Sequence, residues 1–171
     1  MKRTQWQRLD VYARQLTPFA LTMALVIVSV LPTHVPGLAR VAPMLALMAV
    51  YYWAIYRPDL LPAYAVFALG LLQDSLSGTP MGVQAVVFLT VYGVLLTQRR
   101  FFAGKSFVIV WLGFAVVAAG AAAETWILVS AFHVTLMEPT AVLYQYAVTA
   151  GAFPLLAWLL IRWHHAFLRL E

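Results

Sequence analysis

The sequence contains no cysteine. That excludes disulfides and thiolate metal sites. Charge is nearly as scarce: only 10% of the 171 residues are Asp, Glu, Lys or Arg, against 64% hydrophobic. A soluble domain of this length exposes far more charge than that, so the chain reads as an integral membrane protein. No P-loop, H-E-x-x-H or serine nucleophile elbow occurs, which removes the common routes to phosphoryl transfer, zinc proteolysis and acyl transfer. His133 and Glu138 give H-x-x-x-x-E, but no phosphate-binding glycine motif accompanies it. Proteolysis by paired aspartates needs two facing Asp residues, and Asp74 is the only Asp within the apolar segments. His164 and His165 are adjacent, so on a helix they point about 100° apart and make a poor metal pair. No enzyme, cofactor or metal site is expected, and the chain holds a single membrane domain.

What is present is a series of long uncharged runs. They give six spans, about 16–31, 40–56, 60–76, 82–97, 106–132 and 140–161. The segment before the first is basic and reads either as a solvated tail or as a short surface helix; Pro18 falls in the first turn of the span, where a missing N–H does little harm. The second run is short for a ~30 Å hydrocarbon core. Starting it near Leu38 lengthens it and puts Arg40 at the outer surface. Tyr51, Tyr52, Trp53 and Tyr56 cluster at its far end and read as an interfacial aromatic belt. The fifth run carries AVVAAGAAAE, small residues that let helices approach closely in lipid. Gly151 and Pro154 predict a kink in the sixth.

With the N-terminus inside, Lys2, Arg3, Arg8, Arg14, Arg57, Arg99, Arg100, Lys105, Arg162 and Arg169 share one face and only Arg40 lies on the other. This bias predicts both termini in the cytoplasm. The net charge of +5 is therefore orientation chemistry, with contact to anionic lipid heads, and not a nucleic-acid footprint.

The most informative stretch is LGLLQDSLSGTPMG, from Leu69 to Gly82. It lies between apolar segments and carries one carboxylate among Gly, Pro, Ser and Thr. This composition predicts a Gly/Pro-rich hairpin turn between helices three and four, surrounded by protein because hydrocarbon cannot satisfy its backbone. Two readings of Asp74 stand. It caps the turn, accepting from Ser77, Gly78 and Thr79, or it binds a partner or ligand. Gly78 and Gly82 are expected at positive φ or at a close helix approach where a Cβ would clash. Glu124 is the other buried-zone carboxylate. Counting helical rise from the cytoplasmic ends puts Asp74 about 22 Å and Glu124 about 28 Å deep. Arg40, Asp74, Gln84 and Glu124 can then form one intramembrane polar cluster, either a packing network or a site.

The spacing G-x-x-x-D-x-x-x-G-x-x-x-G, as Gly70, Asp74, Gly78 and Gly82, resembles the central motif of the bacterial rod shape-determining MreD family. Pro43, Tyr52, Trp53 and Pro58 match that family's P…YW…P pattern, and Pro154 its late proline. The resemblance implies a non-enzymatic scaffold of the cell-elongation machinery in the inner membrane. Its partners would be MreC, the MreB filament, the RodA glycosyltransferase and a class B penicillin-binding protein, together directing side-wall peptidoglycan synthesis. The resemblance also implies a fold similar to the substrate-binding subunits of energy-coupling-factor transporters. The alternative function is therefore a small-molecule-binding membrane subunit. The short outer loops, with no length for a lid, favour the scaffold.

Overall fold

The computed structural model describes residues 5–30, 42–102, 104–134 and 138–167, with side chains from residue 17 to residue 163 of these. They form six α-helices: α1 (Gln5–Val30), α2 (Leu45–Tyr56), α3 (Ala63–Ser77), α4 (Val83–Phe102), α5 (Phe107–His133) and α6 (Thr140–Phe167). A single 3-10 turn, Pro58–Leu60, links α2 to α3. No strand occurs among the described residues.

The short helix α2 is the centre of the bundle. Its sequence, LALMAVYYWAIY, is apolar on every side, and a helix of that kind has to be buried all round. Every residue from Ala46 to Ile55 is buried, with α1, α4, α5 and α6 packed about it. Its 12 residues rise only about 18 Å. The start near Leu38 expected from the sequence lies outside the described residues; after the non-helical residues 42–44, the helix runs from Leu45. Before it, the chain is clamped by two residues of α6 spaced one turn apart. The Gln145 amide donates to the Ala42 carbonyl at 3.1 Å, and the Met44 N–H donates to the Thr149 hydroxyl at 3.1 Å.

Because α2 is interior, its aromatics are core and not an interfacial belt. Tyr51, Tyr52 and Trp53 are buried, and only Tyr56 is substantially exposed. Tyr51 donates its hydroxyl to the Val110 carbonyl at 2.9 Å. Its ring meets Phe114 and Phe153 edge-on, at 5.1 and 5.5 Å between centroids. Phe114 and Phe153 stack on each other at 4.1 Å. An interior tyrosine is tolerated because its hydroxyl has a partner.

The first helix also departs from expectation. It runs unbroken from Gln5, so Pro18 is an interior residue rather than a first-turn one. The Thr22 hydroxyl, buried, donates to the Pro18 carbonyl at 2.7 Å.

In α6, Pro154 lies inside a continuous helix. Proline has no N–H to offer the carbonyl four residues back, which is that of Ala150. The Trp111 indole N–H of α5 donates to this carbonyl at 2.9 Å. A side chain of the neighbouring helix thus supplies the donor that the proline removes.

The outside of the bundle is apolar. Leu112, Val116, Ile127, Leu143, Leu155 and Trp158 are all largely exposed. An exposed apolar surface of this extent marks a membrane or protein contact. Among the described residues three helices, Val83–Phe102, Phe107–His133 and Thr140–Trp163, are long and apolar enough to cross a membrane. The small-residue run in α5 is packed on one side only. Ala118, Ala121 and Ala122 are buried, whereas Ala119, Gly120 and Ala123 are exposed.

Candidate functional site

Among the described residues the α3–α4 hairpin is tied by several specific contacts, and the four motif residues have four distinct duties in it. Gly70 is the contact point of the two helices. A Cβ there would overlap the Ala85 Cα and come within 2.6 Å of the Ala85 N. Only glycine lets the two backbones meet at this distance.

One turn later, Asp74 is fully buried and makes no ion pair with a described residue. Its carboxylate instead receives the first N–H groups of α4. Oδ2 accepts from the Gly82 N–H at 2.9 Å and the Gln84 N–H at 3.1 Å. Oδ1 accepts from the Gln84 N–H at 3.0 Å and the Thr79 hydroxyl at 2.7 Å. The free N–H groups at a helix start need acceptors, and the helix dipole favours negative charge there. Asp74 supplies both from the preceding helix rather than from the usual position next to the helix start.

Gly78 ends α3. Its φ of 69° is left-handed, and its N–H donates to the Asp74 carbonyl at 3.1 Å. Gly82 begins α4 with φ of 100°, a region that a Cβ disfavours strongly. Its carbonyl accepts from the Val86 N–H at 2.9 Å.

Several expectations change in detail. Of the three donors named for Asp74, only the Thr79 hydroxyl reaches its carboxylate. The Gly78 N–H goes to the backbone carbonyl, and the Ser77 hydroxyl accepts from the Gln73 amide at 2.8 Å. The donors that sequence reading missed, Gly82 and Gln84, are backbone groups, and side-chain inventory cannot reveal them. Gly78 and Gly82 have open space where a Cβ would go. No clash forbids a side chain at either; the constraint is φ alone. The close approach is at Gly70.

The four-residue polar cluster is only partly assembled. Asp74 and Gln84 are joined through the Gln84 backbone. Glu124, on α5, accepts from the Thr90 hydroxyl of α4 at 3.0 Å. Thr90 is six residues beyond Gln84, roughly 9 Å along the helix, so Glu124 acts at a separate level. Arg40 lies outside the described residues. Of the remaining motif residues, Pro43 precedes α2, with its carbonyl accepting from the Leu45 N–H at 2.8 Å. Tyr52 and Trp53 are core, as above. The Pro58 carbonyl receives the Tyr92 hydroxyl at 3.4 Å. Among the described residues no three His, Asp or Glu side chains converge to hold a metal.

A helical bundle with an apolar exterior, a wholly buried central helix and a cross-capped hairpin defines an α-helical membrane protein. The family model of the rod shape-determining protein MreD matches residues 12–170, nearly the whole chain. The chain belongs to that family, whose members are bacterial membrane proteins with a role in determining rod shape. An uncharacterized protein of Rickettsia prowazekii (strain Madrid E) is 28% identical over 72 residues, covering 42% of this chain and 40% of the Rickettsia protein. The chain thus matches well under two thirds of that relative's length. No solved structure matches.

Proposed function

We propose that the protein is a non-enzymatic scaffold of the cell-elongation machinery, maintaining rod shape by organising side-wall peptidoglycan synthesis with MreC. The MreB filament, the RodA glycosyltransferase and a class B penicillin-binding protein are contacted directly or through MreC. The protein lies in the inner membrane as six spans with both termini cytoplasmic. The asymmetry of basic residues supports this orientation. The brevity of α2 does not oppose it, since a helix enclosed by protein need not match the lipid thickness.

The observation that carries the scaffold reading, beyond the family itself, is the side of the small-residue run on α5 that no described residue covers. Ala119, Ala123 and Trp126 of α5 border an apolar groove of about 260 Å³ against Pro139, Val142 and Leu143 at the start of α6. Small side chains on an exposed helix face let a second helix come close, and in lipid such packing drives association. A partner's transmembrane helix fits this face.

The test is affinity purification in mild detergent, with copurifying proteins identified, for the wild type and for Ala119→Leu and Ala123→Leu. The scaffold reading expects MreC to copurify with the wild type and to be depleted from the variants. Recovery of no elongation protein with the wild type would oppose it.

A further inference from the structure

Besides Asp74, the long apolar segments carry one carboxylate, Glu124 of α5. It stands about 26 Å along the helix from its start at Phe107 and about 14 Å from its end at His133. In a hydrocarbon core ~30 Å thick, that position lies within the lipid. Glu124 is not enclosed as Asp74 is. It is only partly buried, and its neighbours Ala123 and Ile127 are exposed. The Thr90 hydroxyl of α4, itself exposed, donates to its Oε1 at 3.0 Å. Among the described residues no other donor and no cation reaches the carboxyl. A carboxyl group has acceptor sites on both oxygens, and lipid tails fill none of them. Such a group within a span is costly and normally faces protein.

The surface beside this pair is shaped. One turn beyond Thr90, α4 and α5 leave an almost wholly apolar groove of about 390 Å³. Val94, Gln98 and Phe101 of α4 and Leu112, Gly113 and Val116 of α5 line it. Thr90 to Phe102, at the far end of the groove, is roughly 18 Å of helix. The result is an apolar strip with a single carboxyl at one end.

From these observations we infer that the lipid-facing side of the α4–α5 pair receives a transmembrane helix of a partner protein, apolar along the groove, whose Ser, Thr, Asn, Gln, Lys or Arg side chain donates to Glu124. Thr90 holds the carboxyl in place for it. A lipid tail suits the groove but brings no donor to Glu124, and lipid head groups lie at the surface rather than at this depth. A second copy of this chain, packed by the same face about a two-fold axis along the membrane normal, would set carboxyl beside carboxyl. The complementary occupant is therefore a different chain. This surface is not the α5–α6 groove, because successive helical residues point about 100° apart and Glu124 turns away from Ala123. The inference does not rest on the scaffold reading, and its failure would leave the Ala119 and Ala123 test unaffected.

The test is photocrosslinking in living cells, on the full chain with a photoreactive amino acid in place of Val86. That residue is exposed on α4, one turn before Thr90. The crosslinked peptide is sequenced. The expected adduct joins Val86 to an apolar segment of another protein that carries one of the named donors at the level of Glu124. Glu124→Leu, folded by yield and Tm, should weaken the adduct about three- to tenfold, the scale of one interhelical hydrogen bond in lipid. If that variant does not fold, replacing the mapped donor by Leu in the partner should weaken the adduct to the same extent and leaves this chain intact. Adducts with lipid alone, an adduct with a second copy of this chain, a partner segment lacking a donor, or an adduct that persists undiminished once either side of the hydrogen bond is removed each overturns the inference.

Discussion

Gly70 and Ala85 meet backbone to backbone, and Asp74 caps the helix that begins beside that contact. The spacing of four between Gly70 and Asp74 places both on one face of α3. The same face therefore provides first a flat seat for α4 and then an acceptor for its N-terminus. Gly78 and Gly82, the rest of the motif, turn the chain so that α4 returns along that face.

The seat predicts a graded steric series. Gly70→Ala inserts one methyl against the Ala85 backbone and should lower stability by about 1–3 kcal/mol. Gly70→Val should cost more. Thermal unfolding in detergent measures both, and a Gly70→Val variant with wild-type Tm would remove the seat from the account.

The cap predicts that Asp74→Leu is severe, since it strands the Gly82 and Gln84 N–H groups and the Thr79 hydroxyl. Each buried group left unpaired costs about 1–3 kcal/mol. Asp74→Asn should also be destabilising. Both carboxylate oxygens accept from α4 or its turn, so the amide's own N–H₂ would face donors. Tolerance of Asn, a natural expectation for a simple one-oxygen cap, does not follow from this geometry.

At the turn, backbone angle and not space is limiting. Gly78→Asn should be milder than Gly78→Val, because Asn enters the left-handed region more easily than a β-branched residue. Gly82, at φ of 100°, should tolerate neither. Comparing folded yield and Tm of the four variants checks this; equal effects of Asn and Val at Gly78 would point to sterics instead.

The Trp111–Ala150 bond predicts a double-mutant cycle. Trp111→Phe leaves the Ala150 carbonyl without its donor and should cost about 1–3 kcal/mol. Pro154→Ala restores an N–H within hydrogen-bonding reach of that carbonyl. In the Pro154→Ala background, Trp111→Phe should therefore cost less. Additive losses would show that the indole and the proline are not coupled.

Much of the hairpin was legible in the sequence because glycine, proline and a lone carboxylate between apolar segments have few uses there. The position of Asp74 was readable; its partners were not, because two of the three are backbone N–H groups whose direction depends on how α4 packs. The burial of Tyr51, Tyr52 and Trp53 was misread as an aromatic belt for a related reason. A cluster of aromatics at a span's end is compatible with an interface or with a core, and only the central place of α2 decides. The segment before the first span reads as a tail or as a short surface helix; that it is helical and continuous with the span from Gln5 was not legible, because charged residues before an apolar run do not show whether the helix continues through them.

The central claim is that the motif acts through the α3–α4 hairpin. The most direct measurement takes Gly70→Ala, Asp74→Asn and Gly82→Ala, and records for each the Tm of the purified protein and its ability to restore rod shape to cells lacking the native gene. If the motif is a folding device, shape should fail in proportion to the loss of Tm, with Asp74→Asn falling on the same line as the two glycine variants. An Asp74→Asn protein with wild-type Tm and round cells would contradict the account and make the carboxylate a group read by a partner.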